Sequence, residues 1–148
     1  MTDRIEKSVE IAAPVERVWE ALTDHEEFGQ WFRVKLDQPF EPGVASTGHM
    51  TYPGYEHVRW TAWIERIEAP SRFSYRWHPY AIDPAVDYSS EPTTLVEFRL
   101  EPIPDGTRLT VTETGFDALP AARRPDAIRM NDSGWAAQMR NIAAHVQG

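Results

Sequence analysis

The chain contains no cysteine, which excludes disulfides, thiolate nucleophiles and cysteine-ligated metals, and fits a reducing compartment. It lacks any uninterrupted run of the roughly 18 apolar residues that a membrane-spanning helix needs. The start, MTDRIEKSVE, is charged from its third residue with no apolar stretch behind it. No secretory leader is therefore expected, and the protein is expected in the cytoplasm with no membrane partner. Positive charge is scarce: 15 Lys and Arg against 23 Asp and Glu give a net charge of −8, and the largest basic cluster is the pair Arg123-Arg124. Such a field repels phosphate backbones, so nucleic acid is excluded as a partner. The histidines at positions 25, 49, 57, 78 and 145 show no metal-ligand spacing, and neither metal nor cofactor is expected. Gly-x-Ser-x-Gly, a phosphate-cradling glycine loop, a Ser-His-Asp arrangement and a paired-carboxylate motif are all missing.

What is present is a globular composition. The 148 residues make one domain, 41% hydrophobic and 26% charged, and a chain of this size buries roughly 68–70% of its unfolded surface. Six Trp, six Phe and five Tyr supply large apolar area. They concentrate in ERVWEALTDHEEFGQWF (16 to 32), which places Trp19, Phe28, Trp31 and Phe32 in an otherwise charged segment. That raises the question of whether so much aromatic surface packs a solid core or walls a pocket.

RIEKSVEI (4 to 11) alternates Ile5, Val9 and Ile11 against Glu6, Ser8 and Glu10, the pattern of a half-buried strand. Pro14 then opens a helix with Val15, Val18, Trp19 and Leu22 at helical spacing, Trp19 anchoring it. Thr23 or Asp24 can cap a second short helix through Trp31. From Val34 to Phe116 strands alternate with turns: VASTGHMTY, HVRWTAWIERI, SRFSYRWH, TTLVEFRLE and TRLTVTETGF form an antiparallel meander. Phe73, Tyr75 and Trp77 share one face, as do Val96, Phe98 and Leu100, and Leu109 with Val111. Arg76, His78, Glu97, Arg99, Thr110 and Thr112 take the opposite, wet face. From about Pro125 a helix of roughly 22 residues, about 33 Å long, carries the stripe Ile128, Trp135, Met139, Ile142 and Val146. Gly134 weakens it locally, and its one available partner is the apolar sheet face.

The pieces IAAPVERVWEALTD (11 to 24) with Trp31, IERIEAPSRFSYRW (64 to 77), GTRLTVTETGF (106 to 116) and GWAAQMRNIAAHV (134 to 146) occur in that order over nearly the whole chain. In this the chain resembles the single-domain bacterial relatives of the activator of Hsp90 ATPase homologue family, in the START/Bet v 1-like (SRPBCC) superfamily. The resemblance implies an α+β helix-grip fold in which a curved antiparallel sheet wraps a long C-terminal helix, with two short helices after strand one, enclosing a cavity. It departs from the family in an insert, HPYAIDPAVDYSSEP (78 to 92), long enough to cover a pocket mouth. The further N-terminal domain of eukaryotic Hsp90 activators has no counterpart in these residues.

A dry void of about 300 Å³ would cost on the order of 7 kcal/mol at ~24 cal/mol per Å³, which rivals a whole stability of about 5–15 kcal/mol. A cavity must then be small, watered or ligand-filled, and Trp and Tyr suit the last two cases through their hydrogen-bonding tips. The expected binding residues are Trp31, Phe32, Trp60, Trp63, Tyr75, Trp77, Phe98, Glu113, Trp135 and Met139. Either Trp60 or Trp63 faces inward, according to the face that strand 57–68 presents. Alternation points Glu113 inward, unless a bulge near Gly115 turns it out. Asn131 and Asp132 lie either on the helix surface or where they could offer a polar group to a ligand. The expected function is binding of a small apolar or aromatic molecule, lipid-like or polyketide/flavonoid-like, between sheet and C-terminal helix. The alternatives are a cyclase/aromatase- or hydrolase-like enzyme, with Glu113 as general acid or base and Tyr75 as donor, and an Hsp90 co-chaperone-like module. Homodimerisation through an apolar strip stays open.

Overall fold

A computed structural model describes residues 4–83 and 85–148. Met1–Asp3 of the charged start and Pro84 within the insert lie outside them. The elements run β1 (Arg4–Ile11), α1 (Val15–Thr23), α2 (His25–Phe32), β2 (Val34–Leu36), β3 (Ala45–Met50), β4 (Arg59–Glu68), β5 (Arg72–Trp77), β6 (Thr94–Ile103), β7 (Gly106–Thr114), a 3-10 turn at Phe116–Ala118, and α3 (Arg124–Gln147). The seven strands form one antiparallel sheet in the order β1-β7-β6-β5-β4-β3-β2. The sheet curves around α3 in the helix-grip arrangement that the sequence resemblance implies. β2 was not anticipated, because three residues are too short to display a period. What secures it is tertiary: a Cβ on Gly48 of β3 would lie 2.2 Å from the Lys35 carbonyl oxygen, so only glycine lets the two backbones approach.

Local chemistry explains the two short helices. Asp24 starts α2 by accepting from the N–H groups of Glu26 and Glu27 at 2.9 and 3.1 Å, while the Thr23 hydroxyl donates back to the Trp19 carbonyl at 2.7 Å. α1 buries Val18, Ala21 and Leu22, with Trp19 half-buried against the core. The three helices meet at one carboxylate: Glu27 of α2 lies 2.8 Å from both the Arg17 guanidinium of α1 and the His145 ring of α3.

Period-two alternation sorts the sheet faces as read. The outer face carries ion pairs such as Arg76–Glu65 at 2.9 Å and Arg99–Glu97 at 2.8 Å, which at such exposure contribute little to stability. The inner face carries Phe73, Tyr75, Val96, Phe98, Leu100, Leu109 and Val111, all buried. Against them α3 lays Ala127, Trp135, Met139 and Ile142. The deep space between sheet and helix is filled by aromatic rings in contact. Phe28 stacks on Phe32 with centroids 4.9 Å apart, Phe32 meets Trp60 at 5.2 Å, Trp60 meets Trp77 at 5.4 Å, and Trp77 and Phe98 meet Trp135 at 5.8 and 5.6 Å. Phe28 and Trp31 of the opening segment therefore pack a solid interior, Phe32 reaches its edge, and the aromatic-walled open volume lies at one end of the grip.

Candidate functional site

That end is a cleft of about 640 Å³ between the N-terminal half of α3, the start of β4, the loop joining β3 to β4, and the 78–92 insert. Being open to solvent, it escapes the penalty of a dry void. Its inner wall is aromatic: Phe32, Trp60, Trp77 and Trp135. Tyr52 and Tyr55, half-exposed in the β3–β4 loop with rings 5.8 Å apart, form another side. Asn131, Gly134 and Gln138 contribute the α3 side, and a Cβ on Gly134 would meet nothing within 4 Å. Gly134 thus opens space where any larger side chain would occupy it.

Two of the wall's three indoles, Trp77 and Trp135, are held from behind by Glu113, while Trp60 donates to the Ser46 hydroxyl. Alternation along β7 carries Glu113 inward, with no bulge intervening, and it is fully buried. Its Oε1 accepts from Trp135 Nε1 at 2.8 Å and Asn131 Nδ2 at 3.0 Å. Its Oε2 accepts from Trp77 Nε1 at 2.8 Å and the Thr94 hydroxyl at 2.6 Å. No basic side chain takes part in these bonds. The two indoles can only donate, so the donor set matches an acceptor-only carboxylate. Asn131, one turn before Trp135, therefore faces the protein interior, whereas Asp132 is exposed and pairs with Lys7 at 3.1 Å. Tyr75, in the same cross-strand row as Val96 and Glu113, has a fully buried hydroxyl with no partner among the described residues. Burial, and secondarily the Glu113 charge, push that hydroxyl well above the usual tyrosine value.

The expected binding residues divide. Phe32, Trp60, Trp77 and Trp135 line the cleft. Tyr75, Phe98, Met139 and Glu113 sit in the packed layer behind it. Trp31 is also away from the wall, tying α2 to α1 by donating from Nε1 to the Ala21 carbonyl at 2.8 Å. Trp63 is a correction: alternation along β4 turns Trp60, Ala62 and Ile64 inward and Trp63 outward, where it is 40% exposed and lies 5.5 Å from the His78 ring.

The insert is anchored at the cleft mouth. Arg123, just before α3, donates to Glu91 at 2.9 Å and to the carbonyls of Pro79 and Tyr80 at 2.8 and 3.0 Å, and its guanidinium lies 4.7 Å from the Tyr88 ring centre. His78, Tyr80, Ile82 and Tyr88 line the cleft as a result. Sequence reading missed Tyr52, Tyr55 and these insert residues. The available signal was a set of tyrosines in turns with no core-facing period to absorb them.

Fold and site together define a helix-grip domain with a solid aromatic interior and an aromatic cleft at one end. The chain belongs to the activator of Hsp90 ATPase homolog 1-like family, whose model matches residues 12–147. Similar solved structures include MLL2253 from Mesorhizobium loti, 22% identical over 97% of this chain and 96% of that one, with a TM-score of 0.75. A protein from Arthrobacter aurescens is 20% identical, covering 97% and 86% of the two chains, at 0.78. DynU16, from the dynemicin biosynthetic locus, is 22% identical with a TM-score of 0.73, and this chain spans 48% of its length. At such identities the likeness is one of fold. No curated protein matches the sequence significantly. Among the described residues no helix is long and apolar enough to cross a membrane.

Proposed function

We propose that the protein binds a small, largely apolar aromatic molecule in the cleft between α3, β4 and the insert. The observation that carries this reading is the wall formed by Phe32, Trp60, Trp77 and Trp135, with two of its indole N–H groups already satisfied by Glu113. A wall whose polar tips are turned away presents ring faces and edges to its occupant, which suits apolar or aromatic surface. The same bonds argue against Glu113 as a general acid or base: its oxygens are engaged by four side chains and it does not reach the cleft surface.

The test is titration with flavone, followed by tryptophan quenching and calorimetry, alongside native mass spectrometry of the purified protein. Saturable one-to-one binding that is lost in Gly134→Phe, a substitution that fills the cleft without removing a packed side chain, supports the reading. A folded wild type that carries no extra mass and binds neither flavone nor another small aromatic probe overturns it.

A further inference from the structure

The cleft contains an unpaired strand edge. In β4 the main-chain groups of the even-numbered residues point to β3: Met50 N–H donates to the Val58 carbonyl at 3.0 Å, and Ile64 exchanges bonds with Val44 and Gly43 at 3.3 and 2.8 Å. The N–H and C=O groups of Arg59, Thr61 and Trp63 therefore point the other way, toward β5. Trp63 finds its partner there in Arg76. Continued in the same register, the ladder would set Thr61 against His78 and Arg59 against Tyr80, but it stops at Trp63. Two features end it: Tyr80 turns the chain away at φ 52°, and Arg123 holds the Tyr80 carbonyl that this register would aim at β4. Among the described residues nothing bonds to the main-chain N–H and C=O of Arg59 or Thr61 on that side. Both residues nonetheless line the cleft, although their side chains alternate outward from Trp60 and Ala62.

We infer that the ligand is peptide-like: a small molecule whose secondary amides pair with the free β4 edge at Arg59 and Thr61 while its apolar side group lies on the Trp60–Trp77 wall. This deepens the reading proposed above and rests on it. Two residues along a strand separate the two sets of groups by about 6.7 Å, the repeat of an extended dipeptide unit. A strand added there turns alternate substituents to the face that carries Trp60 and Trp77, which stand 5.4 Å apart. Main-chain pairing would supply orientation and the aromatic wall would select the side group, the division of labour found in strand addition. A purely apolar ligand would leave the edge groups either hydrated or, where it covered them, unpaired at a cost.

The experiment compares N-acetyl-phenylalanine N-methylamide with its methyl ester, which keeps the shape and removes one N–H donor, and uses flavone as the apolar control. Hydrogen exchange is read at single amides. In the free protein the N–H groups of Arg59 and Thr61 should exchange much faster than those of Trp60 and Ala62; equal protection overturns the inference. The amide should bind at least about fivefold more tightly than the ester, as one hydrogen bond allows, and should slow exchange at Thr61, whose N–H the acetyl carbonyl accepts while the methylamide N–H donates to the Arg59 carbonyl. Equal affinities, binding without that protection, or binding of flavone alone each overturn the peptide-like assignment and leave the apolar cleft standing. Binding of none of the three probes overturns the cleft reading as well.

Discussion

Replacing Glu113 by Gln tests the carboxylate that organises the site. The substitution keeps volume and one acceptor oxygen but places an amide NH2 where the second oxygen stood. In one orientation the NH2 confronts the Trp77 indole N–H, in the other that of Trp135, and neither indole can accept. Thr94 can rotate its hydroxyl and Asn131 can turn its amide, so one buried indole donor is left unpaired. Such a donor costs about 1–3 kcal/mol, and loss of a bond to a charged acceptor falls in the same range. Glu113→Ala strands three N–H donors and opens a hole, for an expected loss of about 3–5 kcal/mol. Urea unfolding at pH 7, followed by far-UV circular dichroism, gives both numbers, and tryptophan emission reports the environment of Trp77 and Trp135. A Gln variant within about 0.5 kcal/mol of the parent, the usual scatter of surface changes, would refute the claim that the carboxylate anchors both indoles.

Gly134→Ala should raise the melting temperature, gaining up to about 1 kcal/mol of helix propensity because its Cβ meets nothing within 4 Å; a lowered value in thermal unfolding would show that the space is already filled. At Glu27, burial pushes the carboxyl up, but hydrogen bonds and charge from His145 and Arg17 outweigh it and leave the group below its ordinary 4.5. Its stabilising share is therefore present above about pH 4.5 and lost as pH falls through the depressed folded value. Glu27→Gln should flatten that acid limb in urea midpoints taken between pH 7 and 3, and an unchanged limb would place the acid sensitivity elsewhere. Arg123→Ala removes three hydrogen bonds and the Tyr88 contact that hold the insert, so limited proteolysis should cut faster between residues 79 and 91 with little change in melting temperature. Unchanged cleavage would mean that other contacts fix the insert.

Where a local period decides a residue's placement, the sequence was sufficient. The alternation of β5, β6 and β7 and the α3 stripe follow from neighbours a few positions away, because backbone geometry repeats at two or 3.6 residues, whereas the choice of Asp24 over Thr23 as cap and of the inward position for Glu113 came from the structure. Trp60 against Trp63 could not be settled that way. The two lie three residues apart, so they occupy opposite faces, and only pairing with β3 and β5 says which face is the core. The cleft itself was also beyond local reading. Its walls come from α2, β4, β5, α3 and two loops, and the donors on Glu113 lie 18 to 36 positions away. The sequence by itself determined the helix-grip order and the aromatic stock of the interior. Tertiary structure decided that the aromatics fill the centre and leave space at one end, because close packing of rings and the meeting of Pro79, Tyr80 and Arg123 depend on distances that no period along the chain encodes.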